Sequence, residues 1–174
     1  MAKAVKNIFL TGEIGIGKST IITRVLEEAD YNLGGYRTRR RVDGDIQEFS
    51  IEALADGRLY NFARTNRKKR LREVNEEVFT ELMPVFLRED MKDKELIILD
   101  ELGFMENDLE AFTSTIFEIL DSPLMVLGVL RDYDCEFLNK VRARGDVEVL
   151  RVTLDNRDLL PSRISSRLNS LKDR

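Results

Sequence analysis

Short apolar runs punctuate the chain, and between them apolar residues recur at helical spacing. Ile8-Phe9-Leu10, Leu96 to Leu99, Leu124 to Leu130 and Val147 to Leu154 read as strands; runs this short and continuous suit strands buried on both faces. Behind the first, Ile21, Ile22, Val25 and Leu26 predict a helix ending near Asp30. Val74, Val78, Leu82 and Phe86 repeat every four residues and predict a second helix to Arg88, bent or shortened by Pro84. Leu109, Phe112, Ile116, Ile119 and Leu120 mark a third, and Phe137, Leu138 and Val141 a short fourth. Leu159, Leu160, Ile164, Leu168 and Leu171 mark the last. Strand and helix alternate, which predicts an α/β domain with a mostly parallel sheet and helices on both faces.

One region breaks this rhythm. Phe49, Ile51 and Ala53 alternate with Ser50, Glu52 and Leu54, and Asp43-Gly44 and Asp56-Gly57 are turn signals. An antiparallel hairpin or meander is therefore expected between the first and second α/β units, within an insertion spanning about residues 34–72. Its last part, Arg64 to Arg72, is the densest positive charge in the chain. That run reads as a solvated surface loop, as a mobile basic lid over a triphosphate, or as an RNA-contacting patch. No repeat, low-complexity segment or linker divides the 174 residues, so residues 1–174 are expected to form a single domain.

The charge balance, 28 basic against 32 acidic side chains, offers no global attraction for nucleic acid and leaves the basic run as its one route. Cys135 is the single cysteine, which excludes an intrachain disulfide and fits a reducing cytoplasm. No apolar run approaches membrane-spanning length and no targeting segment is read at the N-terminus. Histidine is absent, so carboxylates, lysines and arginines must perform any chemistry.

That chemistry centres on residues 12–19, Gly12-Glu13-Ile14-Gly15-Ile16-Gly17-Lys18-Ser19, followed by Thr20. The run fits the pattern G-x-x-x-x-G-K-[ST] between a strand and a helix. A backbone that wraps phosphate must turn successive N–H groups inward, and glycine tolerates the dihedrals this requires. The helix start adds unpaired N–H groups. Lys18 is expected on the β- and γ-phosphates and the Ser19 hydroxyl on Mg²⁺. Downstream, Leu96 to Leu99 followed by Asp100-Glu101 has the form of a Walker B strand. Asp100 would then hold the metal opposite Ser19, and Glu101 would activate water as general base or, alternatively, sit in a solvated turn. Arg131, at the carboxyl end of the next strand, is the first candidate to stabilise the transferring phosphoryl group, with Arg37, Arg39, Arg64 and Arg163 left open. Asn156 and Arg157 would meet the base, or else Asn156-Arg157-Asp158 caps a helix.

Four segments resemble the THEP1 family of P-loop nucleoside-triphosphatases: residues 12–20, Gly35-Tyr36-Arg37-Thr38 with its hairpin, residues 99–106, and Asn156-Arg157-Asp158. The resemblance implies a RecA-like sheet and hydrolysis of ATP, GTP and other nucleoside triphosphates to the diphosphate. Relatives commonly carry lysine where this chain has Phe104, and His or Lys where it has Arg131. Three other readings use the same motifs. A small-molecule or nucleotide kinase would direct Glu101 at an acceptor hydroxyl. A nucleotide switch would use Asp100-Glu101-Leu102-Gly103 as D-x-x-G, although no N-K-x-D string for guanine accompanies it. An RNA-binding module would use the basic run.

Overall fold

The computed structural model describes residues 4–28, 30–103 and 107–172. Eight strands and five helices follow in the order β1 (Asn7–Thr11), α1 (Lys18–Glu27), β2 (Leu33–Asp43), β3 (Ile46–Ala53), β4 (Leu59–Asn66), β5 (Leu71–Val74), α2 (Met83–Asp90), β6 (Leu96–Leu102), α3 (Glu110–Asp121), β7 (Met125–Leu130), α4 (Glu136–Arg142), β8 (Val147–Arg151) and α5 (Leu160–Lys172). They build one sheet in the order β5-β4-β3-β2-β6-β7-β1-β8. The five strands from β2 to β8 in that order pair in parallel, and β5, β4 and β3 extend the sheet antiparallel. The fold is thus the expected α/β P-loop architecture.

Period-two alternation divides the parallel strands between two cores. Ile8, Leu10, Leu96, Ile98, Leu127 and Val129 face α1 and α5, packing with Ile22, Val25, Ile164 and Leu168. Phe9, Ile97, Leu99, Val126 and Leu130 face the other way, against Met83, Leu87, Phe112, Ile116 and Leu138. Both faces are covered, so the strand sequences carry no polar alternation.

The expected antiparallel insertion is present and continues the parallel sheet: Leu33 to Arg37 of β2 pair in parallel with β6, and Tyr36 to Asp43 pair antiparallel with β3. Several local details differ from the sequence reading. The hairpin turn is centred one residue later than Asp43-Gly44, because Asp43 pairs with Ile46 and leaves Gly44-Asp45 as the two-residue loop. The basic run forms a hairpin around an exposed turn: Arg64 to Asn66 close β4, Arg67 to Arg70 make the solvated turn, Leu71 opens β5, and Thr65 pairs with Arg72.

The predicted helix over 74–88 begins at Val78 with a π-helical turn, Val78–Leu82, which runs into α2. That wider turn rotates the buried stripe, so Phe79, Met83 and Leu87 are buried while Val74 and Leu82 are exposed. Pro84 lies in the first turn of α2, directly after the π-helical turn. Finally, β8 stops at Arg151, and Leu159 is exposed ahead of α5. Val152 is instead buried and donates its N–H to the Thr11 carbonyl at 2.8 Å, joining the turn after β8 to the start of the P-loop.

Gly35 fixes where β2 meets β6. Its φ is 91°, and a Cβ there would lie 2.0 Å from the Ile98 carbonyl oxygen. Gly35→Ala should therefore destabilise the fold by about 3 kcal/mol or more, read as a lowered denaturation midpoint or loss of soluble protein.

Candidate active site

The P-loop sits between β1 and α1, at the carboxyl edge of the sheet. Gly12 has φ 137°, and a Cβ on it would meet the Val152 carbonyl oxygen at 2.8 Å. The turn after β8 therefore dictates glycine there as much as the phosphate does. Gly15 and Gly17 also lie at positive φ, and Gly17 caps α1. Glu13, Ile14 and Gly15 are exposed along the rim, and Ser19 and Thr20 are exposed in the first turn of α1.

Lys18 is buried and folds back on the loop, with Nζ donating to the Gly12 carbonyl at 2.8 Å and the Glu13 carbonyl at 2.7 Å. Burial pulls its ammonium below the ordinary lysine range, against the opposing charges of Glu101 and Asp100. Ser19 Oγ donates to Asp100 Oδ1 at 3.2 Å, so residues 81 positions apart meet at the ends of β1 and β6. Asp100 is 3% exposed. Burial pushes its carboxyl up to about 6, offset by the Ser19 hydrogen bond, while Glu101 adds to the rise and Arg37 and Lys18 oppose it. A buried carboxylate and an adjacent hydroxyl are hard oxygen donors, the set that Mg²⁺ takes beside phosphate oxygens and water. Among the described residues no group of three His, Cys, Asp or Glu side chains converges. A P-loop magnesium site does not need one, because the nucleotide completes it.

Glu101 follows across a cis peptide bond and is partly exposed, with Oε1 3.7 Å from a guanidinium nitrogen of Arg131. Arg131 stands directly after β7, its N–H donating to the Leu102 carbonyl at 2.9 Å. The expected set of Lys18, Ser19, Asp100, Glu101 and Arg131 is thus brought to one edge. Of the other arginines, Arg39 pairs with Glu52, Arg64 with Glu48 and Arg163 with Glu148. Arg37 differs: it is the register partner of Asp100, and its buried Nε has no hydrogen-bond partner among the described residues. At the far end of the sheet, the Asn156 side chain is engaged by its own turn. Its Oδ1 accepts from Thr153 N–H and its Nδ2 donates to the Arg151 carbonyl, both at 2.9 Å. Arg157 beside it is exposed. Phe104, Met105 and Glu106 lie outside the described residues.

Two positioning elements escaped the sequence reading. Thr38 Oγ1 donates to the Asp100 carbonyl at 2.6 Å and accepts from the Glu101 N–H at 3.1 Å, while the Tyr36 hydroxyl donates to the Glu101 carbonyl at 3.3 Å. The signal was the Gly35-Tyr36-Arg37-Thr38 segment itself, but its role depends on β2 lying beside β6. Arg142 of α4 donates to the Arg131 carbonyl at 2.7 Å and the Tyr133 carbonyl at 3.0 Å, fixing the loop that carries Arg131. Thr38→Val should lower kcat about tenfold with little change in KM and cost about 1 kcal/mol of stability. Steady-state kinetics beside a urea melt measures both, and an unchanged kcat would remove Thr38 from the site.

Residues 7–165 match a family model described as NTPase. The chain is 36% identical over 173 residues to the nucleoside-triphosphatase THEP1 of Methanosarcina barkeri, covering 95% of this chain and 98% of that protein. It is 31% identical to the protein of the same name from Natranaerobius thermophilus, covering 93% and 96%. Its structure is similar to the crystal structure of THEP1 from Aquifex aeolicus, with a TM-score of 0.74 at 28% identity, covering 93% of this chain and 98% of that one. It shares the fold of a human cancer-related nucleoside triphosphatase, with a TM-score of 0.73 at 23% identity, covering 95% and 98%. On the family match over residues 7–165 and the identity to THEP1 proteins across nearly the whole chain, the chain belongs to the THEP1-type nucleoside-triphosphatase family.

Proposed function

We propose that this protein hydrolyses nucleoside 5′-triphosphates, ATP and GTP among them, to the diphosphate and phosphate with Mg²⁺. The observation that carries this reading is the meeting of Lys18 and Ser19 with Asp100, Glu101 and Arg131 at one sheet edge. Relatives named nucleoside-triphosphatases support triphosphate hydrolysis in general.

The backbone N–H groups of residues 12–20 cradle the phosphates at the start of α1. Lys18 exchanges its two carbonyl partners for the β- and γ-phosphate oxygens, a trade that restores a charged partner to a buried ammonium. Ser19 and Asp100 would hold Mg²⁺, which would supply charge neutralisation on those phosphates. Glu101 orients a water in line with the γ-phosphorus and takes its proton. Arg131 moves its guanidinium from Glu101 toward the developing charge on the transferring group. Arg37 supplies a second positive charge behind Asp100. Asn156 holds the turn after β8 in shape and Arg157 contacts the base; contacts this few suit broad base preference. Among the described residues no helix is long and apolar enough to cross a membrane. A cytoplasmic location is part of the proposal and accords with the lone thiol of Cys135.

Phosphate release from Mg²⁺ complexes of ATP, GTP, CTP and UTP tests the reading directly. Glu101→Gln should lower kcat by about 10²- to 10⁴-fold while nucleotide affinity is retained. Arg131→Ala should lower it by about 10³-fold. Tight binding of triphosphate with no turnover by the wild type would refute hydrolysis as the reaction.

A further inference from the structure

Residues 34–72 carry 11 basic and 5 acidic side chains, a surplus of six positive charges in a chain whose net charge is −4. The rest of the molecule is therefore strongly acidic, and a polyanion is drawn to this segment and repelled elsewhere. Strand register decides where the surplus goes. From Arg37, the register partner of Asp100, β2 runs on six residues to Asp43. At the antiparallel rise this carries its tip about 20 Å past Asp100. Because Ile46 pairs with Asn66 and Asn66 with Leu71, both hairpin turns, 44–45 and 67–70, lie at that tip. They are joined there, the Arg67 N–H donating to the Asp45 carbonyl at 2.9 Å.

The second turn, Arg67-Lys68-Lys69-Arg70, has a defined shape. Asn66 Oδ1 accepts from the Lys69 N–H at 3.0 Å, and Arg70 holds φ 50°, a conformation in which glycine or asparagine is the ordinary residue. A cation stands there instead. Arg39, Arg58 and Arg64 are paired with the carboxylates of Glu52, Asp56 and Glu48. Arg41, Lys68, Lys69 and Arg70 are exposed, and among the described residues none of them is paired with a carboxylate. Arg40 and Arg67 share the neutral amide oxygen of the buried Gln47, with the amide oriented to satisfy its neighbours; this orients both guanidinium groups without cancelling their charge. Asp43 and Asp45 of the neighbouring turn offset part of the excess.

Below the tip, on the face that carries Arg40, lies an aromatic floor. Phe49 and Phe62, half-buried with ring centroids 6.2 Å apart, line a cavity of about 570 Å³, within the range that encloses ring-bearing groups. Its far end reaches the carboxylates of Asp100 and Glu101, so the cavity suits uncharged rings, and an anionic backbone stays on the tip. We propose that the joined hairpin tips bind single-stranded nucleic acid, with its phosphates on Arg41 and the turn 67–70 and its bases over Phe49 and Phe62. Cations along a backbone path beside aromatic rings on which bases stack are what a single strand requires. A duplex keeps its base faces covered, and an acidic polypeptide brings charge without a row of planar rings. The surface is separate from Lys18, Ser19 and Asp100, so the proposal does not depend on the reaction at that site.

Fluorescence anisotropy of the full chain, without nucleotide, against labelled oligouridylate and oligodeoxythymidylate of about 12 nucleotides tests this. Between about 50 and 200 mM salt, log K should fall against log salt with a slope of about −2 to −3.5, the release of counterions from three to five phosphates. The variant Lys68→Ser, Lys69→Ser, Arg70→Gly preserves the turn, since glycine accepts φ 50°, and should flatten the slope by about 2. If it loses its melting transition, Arg41→Ser with Lys68→Ser replaces it and should flatten the slope by about 1. An abasic strand of the same length should bind about tenfold more weakly at an unchanged slope, which reads stacking without altering the protein. The tighter of the two labelled strands assigns ribose or deoxyribose as the source, and equal affinity assigns the chemistry they share. Absence of binding at the lowest salt overturns the proposal, as does an unchanged slope in a folded variant. Affinity for the abasic strand, the matching duplex or polyglutamate equal to that for the single strands also overturns it. Phosphate release from Mg²⁺-ATP without oligonucleotide reads the triphosphate site separately.

Discussion

The parallel strands at the centre of this protein are buried on both faces, and that constraint organises the rest. Side chains of β1, β6 and β7 are taken up by two apolar cores, so polar groups find water or a ligand only at the strand ends. Because β7 lies between β1 and β6, the P-loop and the Asp100-Glu101 end emerge one strand apart, with Arg131 between them. The 3.2 Å contact between Ser19 and Asp100 is the direct product of that order. The same burial raises the Asp100 carboxyl to about 6 and lowers the Lys18 ammonium, leaving both poised for stronger partners than they have within the chain.

The antiparallel strands are the feature that distinguishes this sheet from one that only carries a P-loop. β2 serves both halves: Leu33 to Arg37 dock on β6, and the same strand then continues as the first leg of the hairpin. The glycines at 34 and 35 permit the close approach, since a Cβ on either would meet Ile97 or Ile98 at under 3 Å. One consequence is mechanical, because Thr38 and Tyr36 are held against the backbone of Asp100 and Glu101. The other is spatial, because β3 and β4 form an apolar floor that continues from the reactive edge.

The sequence by itself determined the elements whose signal is local. Residues 12–19, set between a strand and a helix, specify a phosphate loop through glycine dihedrals and one lysine. Uninterrupted apolar runs specified buried strands, and the run ending in Asp100-Glu101 named the second half of the site. Alternation around Phe49 specified an antiparallel insertion. All of these rest on neighbours within a few residues, so periodicity records them.

The tertiary structure decided what depends on partners far along the chain. Charge density alone could not tell a loop from a hairpin at Arg64 to Arg72, since the pairing of Thr65 with Arg72 is a backbone property. Nor could spacing foresee the π-helical turn at Val78–Leu82, which shifted the buried stripe from Leu82 to Phe79 and Met83. The hydrogen bonds of the Asn156 amide to Thr153 and Arg151 were likewise not legible from spacing. The contacts of Thr38 and Arg142 arise only because β2 and α4 lie beside the strand ends. Local pattern fixes which groups exist and on which element they ride; the order of strands across the sheet fixes which of them meet, because pairing brings together residues that the chain itself keeps dozens of positions apart.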